Sequence, residues 1–239
     1  MSLPFFYIED YSSPSKEIVL NEDNSKHIVQ VLRMKEGEKL NLTDGKGNLI
    51  TAEISDAHKK HCKVKVEGTR DKAQGTRKTS IAISLLKNAS RFEWFLEKAT
   101  EIGVSEIIPI ICERTEKEKF RFDRMNSILI SAMLQSQQCW LPVLHEPVQF
   151  ADLIMSGFDD YKKFIAHCET SNKQNLQKVL PVGEDLGGAS IILIGPEGDF
   201  TKEEIEVAMQ NGFNPVSLGD TRLRSETAGI VAATWLCNA

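Results

Sequence analysis

"ILIGPEGDFTKEEIEVAM", residues 192–209, passes from an apolar run through a glycine-edged turn into an amphipathic helix. Ile191 to Ile194 are apolar without alternation, the pattern of a short strand buried on both faces. Gly195, Pro196, Glu197 and Gly198 make the turn. Thr201 with Glu204 three residues later spells a capping box, so a helix is expected to start there. It carries Ile205, Ala208 and Met209 on one face and stops at Asn211-Gly212. A fully buried strand followed by a helix is the unit of an open parallel sheet. A turn at the carboxyl end of such a strand is where these sheets hold ligands.

Working outward, the same alternation begins at Thr79. "SIAISLL" predicts a strand, and Ser90 with Glu93 predicts a second capped helix. Its apolar face is Phe92, Phe95, Leu96, Ala99 and Ile102, and Gly103 closes it. "EIIPIIC" is the next strand. Met125, Ile128, Leu129, Ala132 and Met133 mark another helix, and a weaker one falls near 149–155. "KFIAHC" and "PVSL" are further strands, and a last helix runs from about 226, capped by Ser225. Strands alternating with helices imply an α/β domain, a mostly parallel sheet covered on both faces, over residues 79–239.

Residues 1–70 read as mostly β. "KLNLTDGKGNLITAEISDA" is two alternating runs around Asp44-Gly45-Lys46-Gly47, a hairpin signal, and "HCKVKVEGTR" continues the alternation. "SKHIVQVLRM" places Ile28, Val31 and Leu32 at helical spacing, so a small barrel with one short helix fits. The polar residues 71–78 are the expected linker.

Five cysteines without a C-x-x-C pair predict a reducing compartment, neither a disulfide scaffold nor a zinc site. No apolar run approaches the ~20 residues of a membrane span, and "MSLPFFYIEDYSS" has no basic, apolar leader pattern, so a cytoplasmic protein is expected. Residues 57–91 hold ten Lys and Arg against Glu67 and Asp71, a net +8 in a chain of −5, leaving −13 for the rest. A basic block on an acidic protein suits one face that meets phosphates, although a solvated strand pair has the same composition.

A second turn follows in "VSLGDTRLRSETAGIVAATWL", residues 216–236. Its strand ends at Gly219, so two consecutive strands end in glycine, at 195 and 219, where backbone can approach a ligand closely. Neither G-x-x-x-x-G-K-[ST] nor G-x-G-x-x-G is present, which disfavours nucleoside triphosphates and NAD. His167-Cys168 is a poor nucleophile–base pair, because adjacent strand residues point to opposite faces. His58, His61 and Cys62 read as surface rather than metal ligands, and no metal is expected.

"LIGPEGDFTKEEI" with "LGDTRLRSETAGIVAA" resembles the bacterial 16S rRNA (uracil-N3)-methyltransferases of the SPOUT class. "HIVQVLRMKEGE", "DGKG", "EKATEIGVSEIIPIICERTE" and "HCE" extend the match through the chain. The resemblance implies a PUA-like RNA-binding barrel and a SPOUT domain with a deep trefoil knot. It also implies S-adenosylmethionine as cofactor, a homodimer, and 16S rRNA of the small ribosomal subunit as partner. Carried over by position, Ile194, Gly195, Pro196, Glu197, Gly198, Leu218, Gly219, Leu223, Ser225 and Thr227 surround the donor, with His167 at the neighbouring strand end. Arg224 and Glu226 are the implied catalytic pair. His27, Arg33, Lys87, Arg91 and Gln135 are implied RNA contacts. In "MLQSQQCWLP" this chain departs from the family pattern, with Leu134 in place of an acid and Gln138 in place of an Arg. The competing readings are a SPOUT methyltransferase acting on another RNA, and a non-catalytic RNA-binding or ribosome-assembly factor.

Overall fold

The computed structural model describes residues 3–9, 11, 16–71, 77–169, 173–180 and 188–238. The chain forms two compact units, residues 1–74 with 133–141, and residues 75–132 with 142–239.

The first unit is built on a five-stranded sheet. Its elements are β1 (Phe5–Tyr7), β2 (Glu17–Val19), α1 (Glu22–Lys26), β3 (Lys39–Thr43), β4 (Asn48–Asp56) and β5 (Lys63–Asp71). The strand order is β1-β3-β4-β5-β2, with β1 parallel to β3 and the other pairs antiparallel. Alternation puts Leu40, Leu42, Ile50, Ala52, Ile54 and Val64 into one core with Phe6, Leu20 and Ile28. Cys62 belongs to that core, so it cannot join the stacked, solvent-side rings of His58 and His61. The helix expected around Ile28 is instead α1 followed by a π-turn, His27–Val31. That wider winding buries Ile28 but leaves Val31 and Leu32 exposed, against their helical spacing.

The predicted hairpin forms across Gly45 and Gly47, both at positive φ. A Cβ on Gly47 would lie 2.3 Å from Cζ2 of Trp140, whose ring covers the turn. This contact explains why residues 133–141 group with the first unit, a tertiary fact that periodicity does not encode. Of the expected linker, residues 72–76 lie outside the described residues, whereas Asp71 ends β5 and Arg77 begins the next strand.

The second unit runs β6 (Arg77–Ser84), α2 (Ala89–Ile102), β7 (Glu106–Ile111), α3 (Phe122–Gln135, whose end belongs to the first unit), β8 (Val143–Leu144), β9 (Val148–Gln149) and α4 (Phe150–Met155). It continues with β10 (Tyr161–Ala166), β11 (Gln174–Asn175), α5 (Leu176–Val179), β12 (Gly188–Ile194), α6 (Lys202–Gln210), β13 (Asn214–Ser217) and α7 (Ser225–Asn238). All its strand pairs are parallel, in the order β11-β13-β10-β12-β6-β7-β8, with β9 also on β7. Ile191 and Leu193 of β12 pack with Phe150 and Leu153 of α4 and Ile205 of α6. Helix α7 covers β6 and β12 and lies along α2. The strand is therefore buried on both faces, as its unbroken apolar run requires.

Three local expectations are corrected. Asn88, not Ser90, caps α2, accepting the Ser90 N–H at 3.0 Å. Glu93 is instead drawn into a two-pronged pair with Arg124, at 2.5 and 2.7 Å. Helix α7 starts at Ser225 itself, the Arg224 carbonyl accepting the first helical bond from Ala228 at 2.8 Å, so Ser225 lies inside the helix and not at its cap. Met209 is exposed, at the edge of the α6 apolar stripe. The capping box of Thr201 and Glu204 is present in both directions, at 3.2 and 2.8 Å.

Candidate active site

The strand order decides the site. Glycine turns 195–198 and 219 follow β12 and β13, but these strands are not neighbours, since β10 runs between them. The end of β10 therefore delivers His167 and Cys168 between the two turns. Together they line a cleft of about 610 Å³. Both residues line it, and both lie beyond the last paired residue, Ala166. His167 is buried there and Cys168 exposed.

Each wall has a physical reason. A Cβ on Gly195 would sit 3.1 Å from the Phe200 backbone nitrogen, so the turn can fold this tightly only without a side chain. Gly219 has φ +131°, which L side chains rarely adopt. Asp199 holds the non-glycine position at φ +63° because its carboxylate accepts the Cys168 N–H at 2.7 Å and the Phe200 N–H at 2.9 Å. Glu197 accepts the Lys87 N–H at 3.1 Å, and Arg114 donates to the carbonyls of Gly198 and Phe200 at 2.8 and 3.3 Å. The first turn is thus tied to the chain segments after β6, β7 and β10. Sequence reasoning missed Arg114 and Asp199; the only signal for Arg114 was its place in "ICERTE".

Of the expected donor residues, Ile194, Gly195, Pro196, Glu197, Leu218, Gly219, Leu223 and Ser225 line the cleft with His167. Gly198 backs onto the Arg114 side chain, 3.3 Å from where its Cβ would be. Thr227 is not among the lining residues; Ala228, one step around α7, is. Arg224 lines the cleft and is exposed. Glu226 does not orient it. Glu226 is buried, with Oε1 3.7 Å from Arg91 Nε and Oε2 without a hydrogen-bond partner among the described residues. Lys87 is paired through Nζ with Glu116 at 2.6 Å. In the first unit, His27 is exposed with its ring edge-on to Phe6, Arg33 has φ +56°, and Gln135 is exposed at the end of α3. Among the described residues, no cluster of three or more His, Cys, Asp or Glu is placed to hold a metal.

His167 is the group that most needs a ligand. It is buried, and neither ring nitrogen has a hydrogen-bond partner among the described residues. An orphaned polar atom at a cleft wall costs about 1–3 kcal/mol unless something bound there satisfies it. Burial, reinforced by the Lys173 ammonium, lowers its pKa from the ordinary 6.5. The unfolded chain therefore takes up a proton at a pH where the folded imidazole stays neutral. Stability is full above pH 6.5 and falls as pH drops below it. His167→Gln is expected to flatten this acid limb of the Tm–pH curve; an unchanged limb would assign the acid sensitivity to other groups.

The chain thus carries a parallel sheet with this cleft at its carboxyl edge, and a separate small β unit. The RNA methyltransferase domain profile matches residues 73–237, and the RNA methyltransferase PUA domain profile matches residues 20–67. The chain belongs to the RNA methyltransferase family those profiles describe. It is similar to the "Ribosomal RNA small subunit methyltransferase E" of Rickettsia conorii, 26% identical over 229 residues, 95% of this chain and 91% of that protein. Among solved structures it resembles that of a probable rRNA-methyltransferase from Porphyromonas gingivalis, with 39% identity, TM-score 0.89, and 98% and 96% of the two chains covered. It also resembles a Ribosomal RNA small subunit methyltransferase E from Neisseria gonorrhoeae bound to S-adenosyl methionine, with 27% identity, TM-score 0.85, and 97% and 95% covered.

Proposed function

We propose that this protein transfers a methyl group from S-adenosylmethionine to N3 of a uridine in 16S rRNA of the small ribosomal subunit. The observation that carries the reading is the cleft between two glycine turns with His167 buried at its wall, its ring nitrogens without a hydrogen-bond partner among the described residues. Backbone groups, apolar walls and an imidazole suit an uncharged adenine and ribose better than a phosphate cradle does. The relatives named as small-subunit rRNA methyltransferases, one of them solved with S-adenosyl methionine, support it.

When bound, S-adenosylmethionine supplies a methyl group activated on a sulfonium. The chain then has two tasks. It aligns donor and acceptor, which the three-sided tethering of turn 195–200 favours. It also helps uracil N3 lose its proton, because the neutral imide is a poor nucleophile. Arg224, exposed at the cleft, stabilises the resulting anion through the uracil carbonyls. Glu226, buried with one oxygen that has no partner among the described residues, pairs with Arg91 and is the candidate proton acceptor. Residues 1–70 would bind RNA through His27 and Arg33, with Lys87, Arg91 and Gln135 as further contacts. Residues 79–239 would carry catalysis in the cytoplasm. We read the C-terminal segments as the trefoil knot. After β13, beyond β10, the chain returns to lay α7 over β6 and β12, which supports that reading. We also read the protein as a homodimer, as the family resemblance implies.

The test is primer extension on 16S rRNA from cells lacking the gene, since an N3 methyl group blocks Watson–Crick pairing and stops reverse transcriptase. A stop that vanishes on deletion and returns with the wild-type gene is the expected result. A stop that persists would exclude this target.

A further inference from the structure

The cleft contains a cation that no described carboxylate neutralises. Lys173 sits just before β11, partly buried, on the wall it shares with His167. Its Nζ donates to the His167 carbonyl at 2.6 Å, and among the described residues it has no carboxylate partner within ion-pair distance. An ammonium has three N–H donors, so one bond to a carbonyl fixes its position and leaves two unspent.

No carboxylate of the cleft pairs with it among the described residues. Glu197 accepts the Lys87 N–H, Asp199 accepts the N–H groups of Cys168 and Phe200, and Asp220, the third acid of the lining, is exposed on the loop after β13. Arg222 and Arg224 also line the cleft, but both are exposed on the loop before α7. Lys173 is therefore a positioned, partly buried cation inside a cleft where no described carboxylate lies within ion-pair distance of it. Such a cation is completed by an anion arriving with the ligand.

We propose that Lys173 binds the α-carboxylate of the methyl donor and so lets the cleft select a ligand with an intact amino-acid tail. The proposal rests on the reading of this cleft as the S-adenosylmethionine site. The carboxylate is the donor's only anionic group, and a charge-assisted hydrogen bond in a partly buried site is the interaction Lys173 is placed to make. The carbonyl of His167 holds the ammonium in place, and the imidazole of the same residue is left for the neutral part of the ligand.

The experiment is calorimetric titration of the full-length protein with S-adenosylmethionine and with its decarboxylated analogue. The wild-type protein is expected to bind the carboxylated form about tenfold more tightly or better. Lys173→Met is expected to erase that preference by weakening only the carboxylated form, and Lys173→Arg to restore part of it. Equal weakening of both ligands by Lys173→Met would make the lysine a structural tether of the His167 segment and overturn the proposal. So would an unchanged preference, which would put the carboxylate elsewhere. If the wild-type protein bound neither compound, the cofactor reading would fall, and this proposal with it.

Discussion

Arg224→Ala is expected to lower kcat for rRNA methylation by about 10²–10³-fold, with S-adenosylmethionine binding changed by less than about twofold. The split follows from where the side chain sits. Arg224 is exposed at the cleft, while the turns after β12 and β13 and the Arg114 and Asp199 tethers are built without its guanidinium. On the proposed reading, removing it takes away a charge that would meet the substrate and leaves the donor walls intact. Arg224→Lys should recover only part of the rate, because a point charge cannot reproduce a planar fork against two carbonyls. Single-turnover kinetics with 16S rRNA and calorimetry with the cofactor separate the two effects. A large loss of cofactor affinity with kcat preserved would move Arg224 from the substrate to the donor.

The second large effect is structural. Gly229→Val is expected to destabilise the protein by about 3 kcal/mol and lower Tm by roughly 6–12 °C. Gly229 lies where α7 meets α2 and β6. A Cβ there would stand 2.6 Å from Phe95 Cε2 and 3.2 Å from Ile83 Cδ1. Phe95 and Ile83 are both fully buried and have no solvent to retreat into. Intrinsic propensity acts in the other direction, since alanine in place of a mid-helix glycine gains about 1 kcal/mol. Gly229→Ala is thus the sharper comparison: a net loss would show that packing outweighs the helical gain. Combining either substitution with Phe95→Leu should recover stability beyond additivity. If Gly229→Ala stabilised the protein, the ring of Phe95 would have to yield more easily than its burial indicates.

The architecture was legible where its causes are local. Ile191–Ile194 read as a two-face-buried strand because unbroken apolarity is sufficient for that, and Thr201 with Glu204 read as a helix start because both ends of the box lie within four residues. The sequence failed where one local option competed with another. Ser90 and Glu93 fit a capping box, yet Asn88 takes the cap and Arg124, from a different helix, takes the carboxylate. Helical spacing put Val31 and Leu32 inside, but a π-turn rotated them out.

By itself, the sequence determined an α/β unit after a small β unit, and two glycine turns at strand ends, at Gly195 and Gly219. These depend on periodicity, capping and backbone sterics, which act over a few residues, whereas Arg224 was singled out only by the resemblance of its motif to a known family. Only the tertiary structure decided that β10 runs between β12 and β13, and so sets His167, Cys168 and Lys173 between the turns. It alone paired Glu226 with Arg91, pinned the first turn with Arg114, and seated Trp140 on the Gly47 hairpin. Strand order and contacts between distant residues are fixed by which surfaces bury best against each other, a property of the packed chain that no short window of sequence contains.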